Sequence, residues 1–112
     1  MSEATDQLDQ QLRSEKELVE LMGCAQRLHA NPDFRRLIED EFLMKEPARL
    51  AMMSGDPIIS REDREDAMKM AQAAGHLKRF MSATFQRGRA AESNIVQINA
   101  ELDDVRAEEA ND

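Results

Sequence analysis

The sequence contains no tryptophan and no tyrosine, and only four phenylalanines. That scarcity argues against a large β core, which leans on aromatic and β-branched side chains. Three prolines and four glycines leave few places for tight turns. The single cysteine, Cys24, excludes an internal disulfide and fits a reducing compartment. No apolar run approaches the ~20 residues that a membrane-crossing helix needs. The opening Met1-Ser2-Glu3-Ala4-Thr5-Asp6 is polar and acidic, unlike a secretory signal. A soluble, cytoplasmic chain of one domain, residues 1–112, is expected.

What the chain does have is charge and methionine. Acids number 23 against 15 bases, for a formal net charge of −8, and there are 8 methionines. The charge is uneven. Residues 67–91 carry Lys69, Lys78, Arg79, Arg87 and Arg89 with no acid, whereas residues 92–112 set seven acids against Arg106. General nucleic-acid binding is disfavoured by the overall acidity, because phosphate contacts need cationic surface. Any polyanion contact must rest on the basic window, through Lys78, Arg79, Arg87 and Arg89.

Periodicity points to helices throughout. Leu8, Leu12, Leu18, Val19, Leu21, Met22, Ala25 and Leu28 form one apolar stripe over residues 2–30. Asn31-Pro32-Asp33 is a restart signal: an N-cap residue, a proline suited to the first helical position, and an acid in the first turn. Phe34, Leu37, Ile38, Phe42 and Leu43 then predict a short helix over about 32–44. Pro47 marks the next expected break, and Ala48, Leu50, Ala51, Met52 and Met53 predict a third, short helix. Ser54-Gly55-Asp56-Pro57 closes it with loop chemistry.

Ser60-Arg61-Glu62-Asp63 is a helix start, with Ser60 as N-cap and Asp63 as a short stand-in for the glutamate of a capping box. The longest pattern follows. Ala67, Met70, Ala74, Leu77, Met81, Thr84, Gly88, Ala91, Ile95, Ile98, Leu102 and Val105 alternate steps of three and four without a slip. Such a seven-residue repeat is the signature of a coiled-coil seam. A helix from 61 to about 108 would span roughly 70 Å at 1.5 Å per residue. Gly88 and Ala91 form a narrow waist, either a bend or a point of close helix approach. Ile95, Ile98, Leu102 and Val105 form a two-position seam that must meet another helix, from the N-terminal segment folding back antiparallel or from another copy. The fold class is therefore all-α: a long C-terminal helix, an antiparallel N-terminal helix and two short middle helices, with residues 1–6 and 109–112 expected to fray. The core is expected at Phe34, Leu37, Ile38, Phe42, Leu77, Met81 and Phe85.

The residues that could carry chemistry are sparse. His29 and His76 lie far apart, and His29 suits a helix C-terminus as a cation. Cys24 and His29 are five residues apart, which does not place them on one helical face as a nucleophile and its base would need. A buried, inert Cys24 is expected. Glu62 with Asp66, and Glu39 with Asp40, read as helix-start or solvated carboxylates; zinc would need more His or Cys, and the stretch from Asp56 lacks the alternating oxygen ligands of a calcium loop. Catalytic, cofactor and metal residues are thus expected to be none. The clustered methionines Met44, Met52, Met53, Met68, Met70 and Met81 are expected to fill core gaps; if the third helix leaves them uncovered they become a partner site. For Arg87 and Arg89, pairing with the acidic tail of a neighbouring copy is favoured over nucleic acid, since Phe80 and Phe85 look buried rather than offered for stacking.

Asn31-Pro32-Asp33-Phe34-Arg35-Arg36-Leu37-Ile38-Glu39, the run to Arg49-Leu50, the Asp56-Pro57 loop, and Gly75-His76-Leu77-Lys78-Arg79-Phe80 with Phe85-Gln86 resemble small helical proteins of tailed bacteriophages found in virion-gene clusters. The resemblance covers about residues 18–105. It implies a non-enzymatic role in particle assembly, or as a minor structural component, in the host cytoplasm or the virion. The partners it implies are further copies of the chain or other virion proteins. A nucleic-acid accessory role and an adaptor or inhibitor that binds a host protein are the alternatives.

Overall fold

The computed structural model describes residues 2–111; Met1 and Asp112, at the outer edges of the stretches expected to fray, lie outside the described residues. The protein is all-α, and there is no strand among the described residues. Helix α1 spans Glu3–Ala30, α2 is the single turn Pro32–Phe34, a π-helical segment covers Arg35–Lys45, α3 runs over Glu46–Ser54, and α4 over Arg61–Asn111.

The sequence signals for helix starts are realised as hydrogen bonds. Asn31, in extended conformation, accepts from the backbone N–H groups of Asp33 at 2.9 Å and Phe34 at 3.2 Å, with Pro32 directly behind it. Ser60 accepts from the Asp63 N–H at 3.1 Å and so opens α4. Ser2 does the same for α1 through the Thr5 N–H at 3.1 Å. Each cap satisfies a donor that a helix N-terminus leaves without an intrahelical partner. Between α3 and α4 the chain turns on Asp56, whose carboxylate accepts from the Ile58 N–H at 3.0 Å and whose carbonyl accepts from Ile59 at 3.2 Å.

The break expected at Pro47 does not occur. The π-helical segment runs directly into α3, and Lys45 and Glu46 both keep helical backbone angles. The Glu46 N–H donates to the Glu41 carbonyl, five residues back rather than four. Proline has no N–H and its ring collides with the carbonyl four residues earlier in a tight α-helix. Looser winding ahead of Pro47 meets that demand without ending the helix. It also changes which residues point inward. Steps of four and five bring Phe34, Ile38, Leu43 and Pro47 to the half-buried side. Leu37 and Phe42, placed in the core by a 3.6-residue period, are instead exposed, Leu37 by 66%.

By its contacts the chain forms two compact units: a middle unit, Gln26–Ala83, and a terminal unit made of the described residues on either side of it. In the terminal unit, α1 and the later part of α4 pack against each other. Met22 meets α4 at Gly88, and Glu15 meets it at Asn94 through a hydrogen bond of 3.3 Å, so the two helices run antiparallel. Met22, Ala25, Ala91, Ile98 and Leu102 are buried there. Burying a side chain the size of Ile98 or Leu102 contributes about 1.5–3 kcal/mol. Gly88 is the close-approach point: a β-carbon added to it would stand 2.3 Å from the Met22 β-carbon. In the middle unit Leu50 of α3 and Ala67 and Ala74 of α4 are the most enclosed apolar residues.

Two substitutions separate packing from helix propensity. Gly88→Ala removes a poor helix former but drives a methyl into Met22, and is expected to lower stability by about 1–3 kcal/mol in urea denaturation. Gly75→Ala lies in open space and is expected to raise it by up to about 1 kcal/mol. Leu50→Ala, at a side chain only 3% exposed, is expected to cost about 2–5 kcal/mol.

Candidate interaction surface

The seam residues Ile95, Ile98, Leu102 and Val105 lie in the terminal unit. Ile98 and Leu102 are buried, and Ile95 and Val105 are half-buried. They share that unit with the antiparallel α1, whose Leu8, Leu12 and Val19 are also half-buried. Of the two partners the sequence left open for this seam, the chain's own N-terminal helix occupies it. Along the rest of the twelve-residue pattern the exception is Met70, which is 57% exposed. Half-buried Ala71 takes the inward side instead.

The middle unit differs in how much apolar surface it leaves outside. Ile58 is 92% exposed and Met52 79%, and Leu37, Met44, Met68, Met70 and Phe80 are also exposed. Among the strongly exposed large apolar side chains, the terminal unit supplies Leu21 and Val96. The methionines expected to fill the core therefore split. Met53 and Met81 are half-buried, whereas Met44, Met52, Met68 and Met70 face outward. Phe80, expected to be buried, is exposed as well, while Phe85 is half-buried as expected. Sequence periodicity missed this surface because the stripe on α4 is wider than one partner helix can cover, and because the π-helical winding rotates Leu37 and Met44 outward.

The basic window does not make one stripe. Lys69, Lys78 and Arg79 lie in the middle unit, Arg87 and Arg89 in the terminal unit, and all five are exposed. At about 100° per residue, Lys78 points half a turn away from Lys69, and Arg87 and Arg89 diverge almost as far.

Titratable groups engage one another across short spans. In the middle unit His29 Nδ1 lies 2.6 Å from one oxygen of the Glu39 carboxylate and 3.0 Å from the other, so the end of α1 is tied to the π-helical segment across the Asn31-Pro32 turn. Lys45 donates to Glu41 at 2.8 Å, and that hydrogen bond raises the Lys45 pKa. Arg49 donates through two nitrogens to Glu46, which holds the Glu46 carboxyl below the usual carboxylate range. Both pairs are on the surface, where such contacts contribute little to stability. Cys24, expected to be buried, is exposed. Among the described residues no group of three or more His, Cys, Asp and Glu side chains is placed to hold a metal, and no helix is long and apolar enough to cross a membrane. Shallow grooves along α1 are lined by residues such as Gln7, Gln10, Gln11, Ser14 and Glu15. Another in the middle unit is lined by Ser54, Arg61, Arg64, Glu65 and Met68.

Two outcomes are expected. Ile98→Asp sets an unpaired charge inside the terminal unit, at a cost of several kcal/mol, and is expected to appear as lost helicity in circular dichroism. The Glu46 side chain is expected to titrate below free glutamate by NMR, and Arg49→Gln to move the midpoint up. A depressed carboxyl pKa stabilises above its unfolded value, so the small contribution of this pair is lost as the pH falls through the folded midpoint.

No protein-family model, no curated protein and no solved structure matches this chain.

Proposed function

We propose that this chain is a non-enzymatic protein that works by helix-mediated assembly, with copies of itself as the first partner. One observation carries the reading: the middle unit exposes a concentration of large apolar side chains, led by Ile58, Met52 and Leu37. Monomeric soluble proteins seldom expose contiguous apolar patches larger than a few hundred Å², and methionine-rich surface is well suited to protein contacts because the thioether adapts to its neighbour. A particle-assembly setting, in head morphogenesis or as a minor virion component, is what the resemblance to small phage proteins adds to the proposal. The formal net charge of −8 weighs against the nucleic-acid alternative.

The mass in solution tests the reading. Light scattering over a concentration series is expected to give a mass above the 12.8 kDa of one chain, rising with concentration. A mass fixed at one chain throughout would remove self-assembly. Low-salt DNA binding lost on neutralising the four basic residues would replace it with the nucleic-acid role.

A further inference from the structure

We infer that the outward face of α4 in the middle unit, where Lys69, His76 and Arg79 stand with Gln72 among them, receives Glu101, Asp104 and Glu108 from the α4 of a second copy. This rests on the self-assembly reading and names a contact that orients the copies. The four receiving residues are exposed and follow one another at steps of three, four and three. They share about 80° of the helix circumference, on the side away from enclosed Ala67 and Ala74. Lys78, half a turn from Lys69, is not part of this face. The three acids lie in the terminal unit, exposed as well, at steps of three and four.

What selects another copy is that these charges go unmatched within the chain. Elsewhere, exposed charges pair within about a turn: Glu41 with Lys45, Glu46 with Arg49, and Arg61 with Glu65. Among the described residues, the side chains of Lys69, His76, Arg79, Glu101, Asp104 and Glu108 make no hydrogen bond or ion pair. No acid stands between Ala67 and Ala91, and Glu65, one turn before Lys69, is held by Arg61 at 3.1 Å. Both sets stand on one unbroken helix, which cannot fold back to join them. Antiparallel approach sets Arg79 over Glu101, His76 over Asp104 and Gln72 over Glu108, with Lys69 reaching Glu108 from the next turn. Glu62 and Glu65 then lie past Asn111 of the second copy and oppose no acid. Parallel approach, with Lys69 over Glu101, sets Glu62 against Asn94, to which Glu15 is bonded, so like charges meet.

The test reverses each side of the contact separately and then both together. Lys69→Glu with Arg79→Glu, and Glu101→Lys with Glu108→Lys, are each expected to weaken self-association about tenfold with helicity unchanged, since all four residues are exposed. The chain carrying all four substitutions is expected to regain wild-type association. Net charge alone predicts otherwise, because the second pair brings it nearer zero and would strengthen association. A carbodiimide, which joins an ammonium to a carboxylate in contact, is expected to link Lys69 to Glu108 between wild-type copies, as read by mass spectrometry of the species of doubled mass. A wild-type chain that stays monomeric overturns the assembly reading and this contact together. Association indifferent to both reversals, strengthened by the second, or not restored by the combination overturns the contact alone and leaves the assembly reading standing. A link from Lys69 to Glu101 overturns the antiparallel direction. Low-salt DNA binding lost with Lys69 and Arg79, while the mass stays unchanged, gives this face to a polyanion instead. Should a variant lose helicity, the wild-type cross-link decides.

Discussion

Two helices in contact can hide only the residues that lie between them. Everything on the flanks of the contact stays wet unless a third element arrives, and this limit governs the protein. The terminal unit lives within it. Its α4 segment carries a narrow stripe, with Ile98 and Leu102 buried and Ile95 and Val105 beside them, and α1 is broad enough to cover it. Gly88 makes the fit close by letting Met22 settle against the helix backbone. The middle unit exceeds the limit. Its apolar residues wrap farther around α4 than one neighbour reaches, and Met70 and Phe80 are left outside.

Charge reinforces the division without creating it. The short-range pairs, Glu41 with Lys45 and Glu46 with Arg49, tie residues within a turn and stand in solvent. Such pairs support local winding more than tertiary structure. The His29–Glu39 pair is different in reach, since it spans the helix restart at Asn31-Pro32 and joins α1 to the π-helical segment. Even so, both partners are accessible to water, and enclosed residues such as Leu50, Ala67 and Ala74 supply the larger share of the middle unit's cohesion.

Much of this was written plainly in the residues. The caps at Asn31 and Ser60, the Asp56 turn and the long C-terminal helix follow from local chemistry that does not depend on distant neighbours. The waist at Gly88 and Ala91 was legible as an alternative between bend and close approach, and Met22 decides it for the latter. Two things were not legible. A fixed period of 3.6 residues cannot foresee a stretch wound at five-residue spacing, so Leu37 and Phe42 were assigned to the wrong side. Nor can a stripe of apolar residues announce how much of its width a neighbour will cover. Hence Met70, Phe80 and the outer methionines read as core, while the seam at Ile95–Val105 was legible as needing a helical partner but not as to which, α1 or another copy.

The loosely wound stretch Arg35–Lys45 bears on how the gene can change length. Eleven residues coiled with five-residue bonds occupy the turns that an ordinary helix would complete with roughly two fewer. One codon lost from the early part of that stretch, ahead of the turn that accommodates Pro47, would be taken up by tighter winding, so that Leu50 downstream would keep its inward heading. The same loss within Arg61–Asn111 has no slack to absorb it. Every later side chain would swing by about 100°, carrying Ile98 and Leu102 out into water. Loss of a residue should therefore be tolerated in the first of these stretches and purged from the second.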